Sequence, residues 1–151
     1  SGVVALLQAF GRHELYDEEF LDAAATRLEG SASILPVSQL GDAMYALGSL
    51  QVRDPRQLDT LCDALRPQVS EIGEPDLVRF IRGLVKLRHC NSALLAAFEP
   101  VVDELKWKLS AVSLSNLINC FSFFDTTRAE FFEGLLQVAT SRAARLPPMS
   151  I

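Results

Sequence analysis

Arg79, Arg82 and Lys86 stand at i, i+3 and i+7, so a helix there carries one stripe of three cations, with Arg88 just beyond. Cations in a row suit contact with phosphates rather than covalent chemistry. Three sets of positions, each spaced by 37 residues, resist the apolar character of their surroundings. They are Ala5, Asp42, Arg79 and Asn116; Gln8, Tyr45, Arg82 and Asn119; and Arg12, Ser49, Lys86 and Phe123. Asn, Gln, Asp and Arg make paired hydrogen bonds to base edges, while Tyr and Arg stack on unpaired bases. The candidate binding set is therefore Gln8, Arg12, Asp42, Tyr45, Arg79, Arg82, Lys86, Asn116 and Asn119. A polar side chain in a fixed column of each repeat is expected of a modular reader of single-stranded RNA. Solvated or protein-contacting helix faces are also polar and varied, and that reading stands beside it.

Catalysis, metals and cofactors are not expected. His13 and His89 fall in different columns, which supports neither a shared metal site nor a general-base pair. His89 and Cys90 are adjacent, but neighbouring helical residues point about 100° apart. The sequence has no Gly-rich phosphate loop, Ser-centred elbow or recognisable carboxylate pair. Cys62, Cys90 and Cys120 match neither a disulfide framework nor a zinc spacing; all three read as core or near-core thiols of a reducing compartment.

The elements that must carry these side chains follow from the same 37-residue spacing. Val3, Leu40, Leu77 and Leu114 share one column, and Leu7, Met44, Ile81 and Ile118 another. Phe10, Leu47, Leu84 and Phe121 form a third, and Leu21, Leu58, Leu95 and Phe132 a fourth. Within a row the apolar residues recur at helical spacing in two blocks, as in Leu40, Ala43, Met44, Leu47 and Leu50, then Leu58, Leu61, Cys62 and Leu65. The expected fold is all-α: an α-solenoid of four 37-residue helix-turn-helix repeats over about 1–37, 38–74, 75–111 and 112–148. First helices are placed near 2–13, 39–50, 76–88 and 113–124, second helices near 18–30, 56–70, 92–109 and 129–145. Asp17, Asp54 and Asn91 are the N-caps of second helices, with Pro55 at a first helical position. Arg128 breaks that column, leaving Thr126 or Thr127 as the cap. Ser38, Pro75-Asp76 and Ser113 or Ser115 open first helices. Small residues at Ala9, Ala46, Gly83 and Cys120 predict close helix crossings. Trp107 is expected to cover the junction with the fourth repeat, the alternative being an exposed anchor.

First helices such as Leu77-Val78-Arg79-Phe80-Ile81-Arg82-Gly83-Leu84 and Leu114-Ser115-Asn116-Leu117-Ile118-Asn119-Cys120-Phe121 resemble the heptatricopeptide repeats of apicomplexan organelles. Similar repeats are the octotricopeptide repeats of algae and the helical region of Fas-activated serine/threonine kinase-like mitochondrial proteins. The resemblance implies a mitochondrial or other organellar, RNA-associated protein, such as a subunit of a mitochondrial ribosome or RNA-processing assembly. Such repeats are usually basic, whereas this chain carries 14 Lys/Arg against 19 Asp/Glu, a net charge of −5. Residues 1–37 hold 2 basic and 6 acidic side chains, while residues 75–111 hold 6 and 4. The alternative is thus a protein–protein scaffold in a large organellar complex without direct RNA contact. No apolar run approaches the roughly 20 residues of a membrane span, so membrane insertion is not expected. Ser1-Gly2 leads at once into apolar periodicity, which reads as a segment of a longer protein.

Overall fold

The computed structural model describes residues 2–13, 17–124 and 128–145. These residues are helical, with no strand among them: α1 (Gly2–Arg12), α2 (Glu18–Ser31), α3 (Val37–Leu50), α4 (Pro55–Leu65), α5 (Glu74–Leu87), α6 (Ser92–Leu105), α7 (Ala111–Phe123) and α8 (Ala129–Ala144). Short 3-10 turns, Ala32–Ile34 and Arg66–Glu71, follow α2 and α4. Pro67 explains the second. Lacking an amide hydrogen, it cannot extend an α-helix, so the segment expected to run to residue 70 tightens after Leu65. Likewise α6 ends at Leu105 rather than at 109.

Odd-numbered helices pack in order, α1 on α3, α3 on α5 and α5 on α7, and even-numbered helices do the same from α2 to α8. The core is one apolar cluster between these two layers, in which Leu7, Leu40, Met44, Phe80, Leu84, Phe98 and Leu135 are fully buried. The crossing of α3 and α5 is the closest approach. A Cβ added at Gly83 would lie 2.6 Å from the Met44 carbonyl oxygen, and one at Gly48 would lie 3.1 Å from the Gly83 carbonyl oxygen. Glycine is thus required at position 83 by the neighbouring backbone rather than by its own dihedral angles.

Second helices begin as the cap column dictates. The amides of Phe20, Arg56 and Leu94 donate to the side chains of Asp17, Asp54 and Asn91, each at 3.0 Å. α1 begins where expected, whereas α3, α5 and α7 begin earlier, at Val37, Glu74 and Ala111. Pro36 and Gly73 are the N-caps of α3 and α5, with Ser38 already inside α3. For α7 the cap is Ser110, whose hydroxyl accepts the Ser113 amide at 3.1 Å, and not Ser113 or Ser115. Thr126 and Thr127 lie outside the described residues, and Arg128 takes the N-cap position of α8 without a side-chain cap. Buried Glu99 of α6 compensates. Its carboxylate accepts Arg128 Nε at 2.7 Å and the Arg128 amide at 3.3 Å, so one helix caps the next from outside.

α3 and α5 end alike on residues with positive φ, Gln51 (57°) and Arg88 (52°). They lie 37 residues apart, and both return their amides to the last turn of the helix.

Candidate functional site

The polar columns project from the layer of odd-numbered helices. Gln8, Arg12, Asp42, Tyr45 and Arg79 line one hollow of about 410 Å³, floored by Gly11, Ala46 and Ser49. A Cβ at Gly11 would meet Ser49 Cβ at 3.6 Å, an ordinary van der Waals contact. Arg79 leans back on its own layer, with Nη1 3.4 Å from Asp42 Oδ1 and 3.6 Å from Asp76 Oδ1. Its charge is therefore partly balanced inside the face.

Beside the hollow, the Tyr45 ring is met by two cations from α5. Lys86 Nζ stands 4.2 Å from the ring centroid and Arg82 Cζ 5.6 Å. Lys86 also donates to Ser49 Oγ at 3.3 Å. Both the Lys86–Ser49 and the Arg79–Asp42 contact join residues 37 apart, so each sequence column is a physical row across α3 and α5. Among the described residues, Arg12, Arg82 and Lys86 have no acidic partner. The result is a hollow that holds Arg12, Arg79 and the carboxylate of Asp42, with the Tyr45 ring and its two cations, Arg82 and Lys86, beside it.

The nine anticipated residues are not all gathered. Seven of them, Gln8, Arg12, Asp42, Tyr45, Arg79, Arg82 and Lys86, come together on α1, α3 and α5. Asn116 is half-buried on α7 and lines neither that hollow nor the next. Asn119 lines a separate hollow of about 500 Å³ with Ala111, Leu114, Ser115, Ile118, Ala139, Ala143, Arg142 and Arg145 of α7, α8 and the residue that follows. Ser49 belongs to the site but was not among the nine; its membership of the Lys86 column is the signal that marks it.

Neither a protein-family model nor a curated protein matches the chain.

Other chemistry-bearing groups are held structurally. His89 Nε2 lies 2.7 Å from Asp59 Oδ1, and Asn91 Nδ2 donates to the same oxygen at 3.0 Å. Together they tie the start of α6 to α4. Cys62 and Cys120 are buried as expected, but Cys90 is exposed, because it lies in the loop after α5 and not on a helix. Burial, with the nearby carboxylates of Asp59 and Asp63 adding to it, drives the Cys62 thiol far up. Burial pushes the Cys120 thiol up to about 11, against the lowering effect of Arg82. Both remain unreactive thiols near neutrality. Trp107 is 54% exposed and does not cover the junction; its carbonyl oxygen accepts Arg142 Nη2 at 2.9 Å instead. Among the described residues no cluster of His, Cys, Asp and Glu could hold a metal, and no helix is long and apolar enough to cross a membrane.

Proposed function

We propose that the chain is an α-solenoid of four 37-residue helix-turn-helix repeats, acting as a non-catalytic module that binds single-stranded RNA. Rows of contacts between residues 37 apart support the repeat reading, since like positions meet like neighbours. The RNA reading rests on one observation: Tyr45 with Arg82 and Lys86 beside the hollow lined by Gln8, Arg12, Asp42 and Arg79. A base enters the hollow and uses Gln8 and Asp42 for its edges, while Arg12, Arg82 and Lys86 meet the flanking phosphates. The resemblance of its first helices to organellar repeat proteins is what supports a role in a mitochondrial or other organellar RNA assembly, such as a ribosome.

A filter-binding titration against single-stranded RNA at two or more salt concentrations tests this. Three phosphate contacts give a slope of log K against log salt of roughly −2, and Arg82→Ala with Lys86→Ala flattens it by roughly 1.4. Undetectable or salt-insensitive binding overturns the proposal.

A second reading, a scaffold subunit gripping other proteins, is favoured by a different feature. The hollow on α7 and α8 has apolar walls from Leu114, Ile118, Ala139 and Ala143. Affinity isolation from the native source discriminates the two: RNA recovered without stoichiometric protein partners eliminates the scaffold.

A further inference from the structure

The hollow on α1, α3 and α5 contains one feature that phosphate binding does not explain. Asp42 brings a carboxylate to a face that otherwise carries Arg12, Arg79, Arg82 and Lys86. A carboxylate repels phosphate, and it only accepts hydrogen bonds. Among the described residues its one partner is Arg79, with Nη1 3.4 Å from Oδ1. The Asp42 side chain lines the hollow and is 28% exposed, which leaves Oδ2 to a ligand. Arg79 is steadied beside it by a second acid, since the same Nη1 lies 3.6 Å from Asp76 Oδ1.

From Oδ2 to Oδ1 to the Arg79 guanidinium, the pair presents acceptor, acceptor and donor in that order. Cytosine presents the same order to guanine through O2, N3 and its amino group. The complementary order belongs to the Watson–Crick edge of guanine, whose amino group and N1–H donate and whose O6 accepts. No other RNA base matches. Adenine and cytosine each set one amino donor beside a ring nitrogen acceptor, which would face a carboxylate oxygen. Uracil has a lone N3–H between two carbonyl oxygens. In single-stranded RNA these edges are open to a protein, because no partner strand occupies them.

We infer that the base held in this hollow is guanine, its amino group and N1–H donating to Asp42 and its O6 accepting from Arg79. This rests on the RNA reading above and adds the identity of one nucleotide. It reaches a single position, because Ala5 and Asn116, the other members of the column, supply no second acid–base pair.

Fluorescence anisotropy with short uridine oligomers that differ at one central base tests the assignment. The oligomer with guanine should bind about 10-fold tighter than those with adenine, cytosine or uracil, a difference of about 1.4 kcal/mol. Inosine keeps N1–H and O6 but lacks the amino group, so its oligomer should fall between them. That comparison changes only the ligand and holds whether or not a variant folds. Asp42→Asn exchanges one acceptor for a donor and should bring the guanine and adenine oligomers within about twofold of each other. Equal, salt-sensitive binding of all the oligomers overturns the guanine assignment and leaves the RNA reading intact. Binding of none of them overturns both. A guanine preference that survives Asp42→Asn overturns the assignment to this pair. Free guanosine monophosphate that displaces the guanine oligomer at matching concentration supports the base assignment but overturns the RNA reading, because the nucleotide alone is then the ligand.

Discussion

At the scale of single residues, the strictest requirement is the missing side chain at Gly83. A methyl group there would sit 2.6 Å from the Met44 carbonyl oxygen, against backbone that cannot move without shifting α3. Gly83→Ala should destabilise the protein by about 1–3 kcal/mol in urea unfolding. Gly48→Ala should cost less, because its nearest backbone neighbour is 3.1 Å away and Lys86 Cβ, at 3.2 Å, belongs to a flexible side chain. The reverse logic applies at the helix ends. Arg88 occupies a left-handed conformation that costs a side-chain-bearing residue about 1 kcal/mol. Arg88→Gly should therefore stabilise by about 0.5–1 kcal/mol. Gln51→Gly should gain less at the equivalent position. The Gln51 side chain donates to the Gly48 carbonyl at 2.9 Å and accepts from Arg53, contacts that glycine forfeits. Equal gains at both positions would show that those side-chain bonds contribute nothing.

Between helices, polar groups link one element to another, and their burial decides what each is worth. Glu99 is buried while Arg128 is largely exposed. Arg128→Ala strands a carboxylate in the core and should cost about 3 kcal/mol, whereas Glu99→Gln leaves an arginine in water and should cost about 1 kcal/mol. The opposite ranking in thermal or urea melts would mean that Glu99 is not the buried member. Glu74 makes a comparable link from α5 to the start of α7. Hydrogen bonds from the Ser113 hydroxyl and the Ser110 amide hold its carboxyl below its ordinary value. A carboxyl with a lowered folded-state pKa stabilises above its unfolded value, and that contribution fades as pH falls through the folded one. The stability gap between wild type and Glu74→Gln should thus be full near neutrality and close in acid. Element order and most boundaries were legible in the sequence, because apolar spacing and Asp17, Asp54 and Asn91 act locally. The starts of α3, α5 and α7 were less legible, since Pro36 and Gly73 cap by backbone geometry alone and Ser110 was one of several nearby serines. The Glu99 cap was not legible at all; nothing local relates it to Arg128, 29 residues away. Of the site, the columns that bridge α3 and α5 were readable because the 37-residue spacing is itself the contact distance. Asn119 separated from the rest because α7 carries it to the hollow shared with α8.

On the scale of the whole molecule, stability should differ from helix to helix. Leu47 and Leu84 lie in the inner hairpins and are fully buried, so Leu47→Ala or Leu84→Ala should each cost about 2–5 kcal/mol. Phe10, in the same column at the outer hairpin, is only partly buried, stacked on Phe20 with centroids 4.3 Å apart. Its truncation should therefore cost less than a fully buried phenylalanine would. Where helices lean mainly on their neighbours, those with the thinnest packing open first. Native-state hydrogen exchange should show the amides of α1 and α2 least protected and those of α3 to α6 most protected. Slower exchange in α1 than in α5, at any salt concentration, would place the stability of this molecule somewhere other than in the α3–α5 crossing.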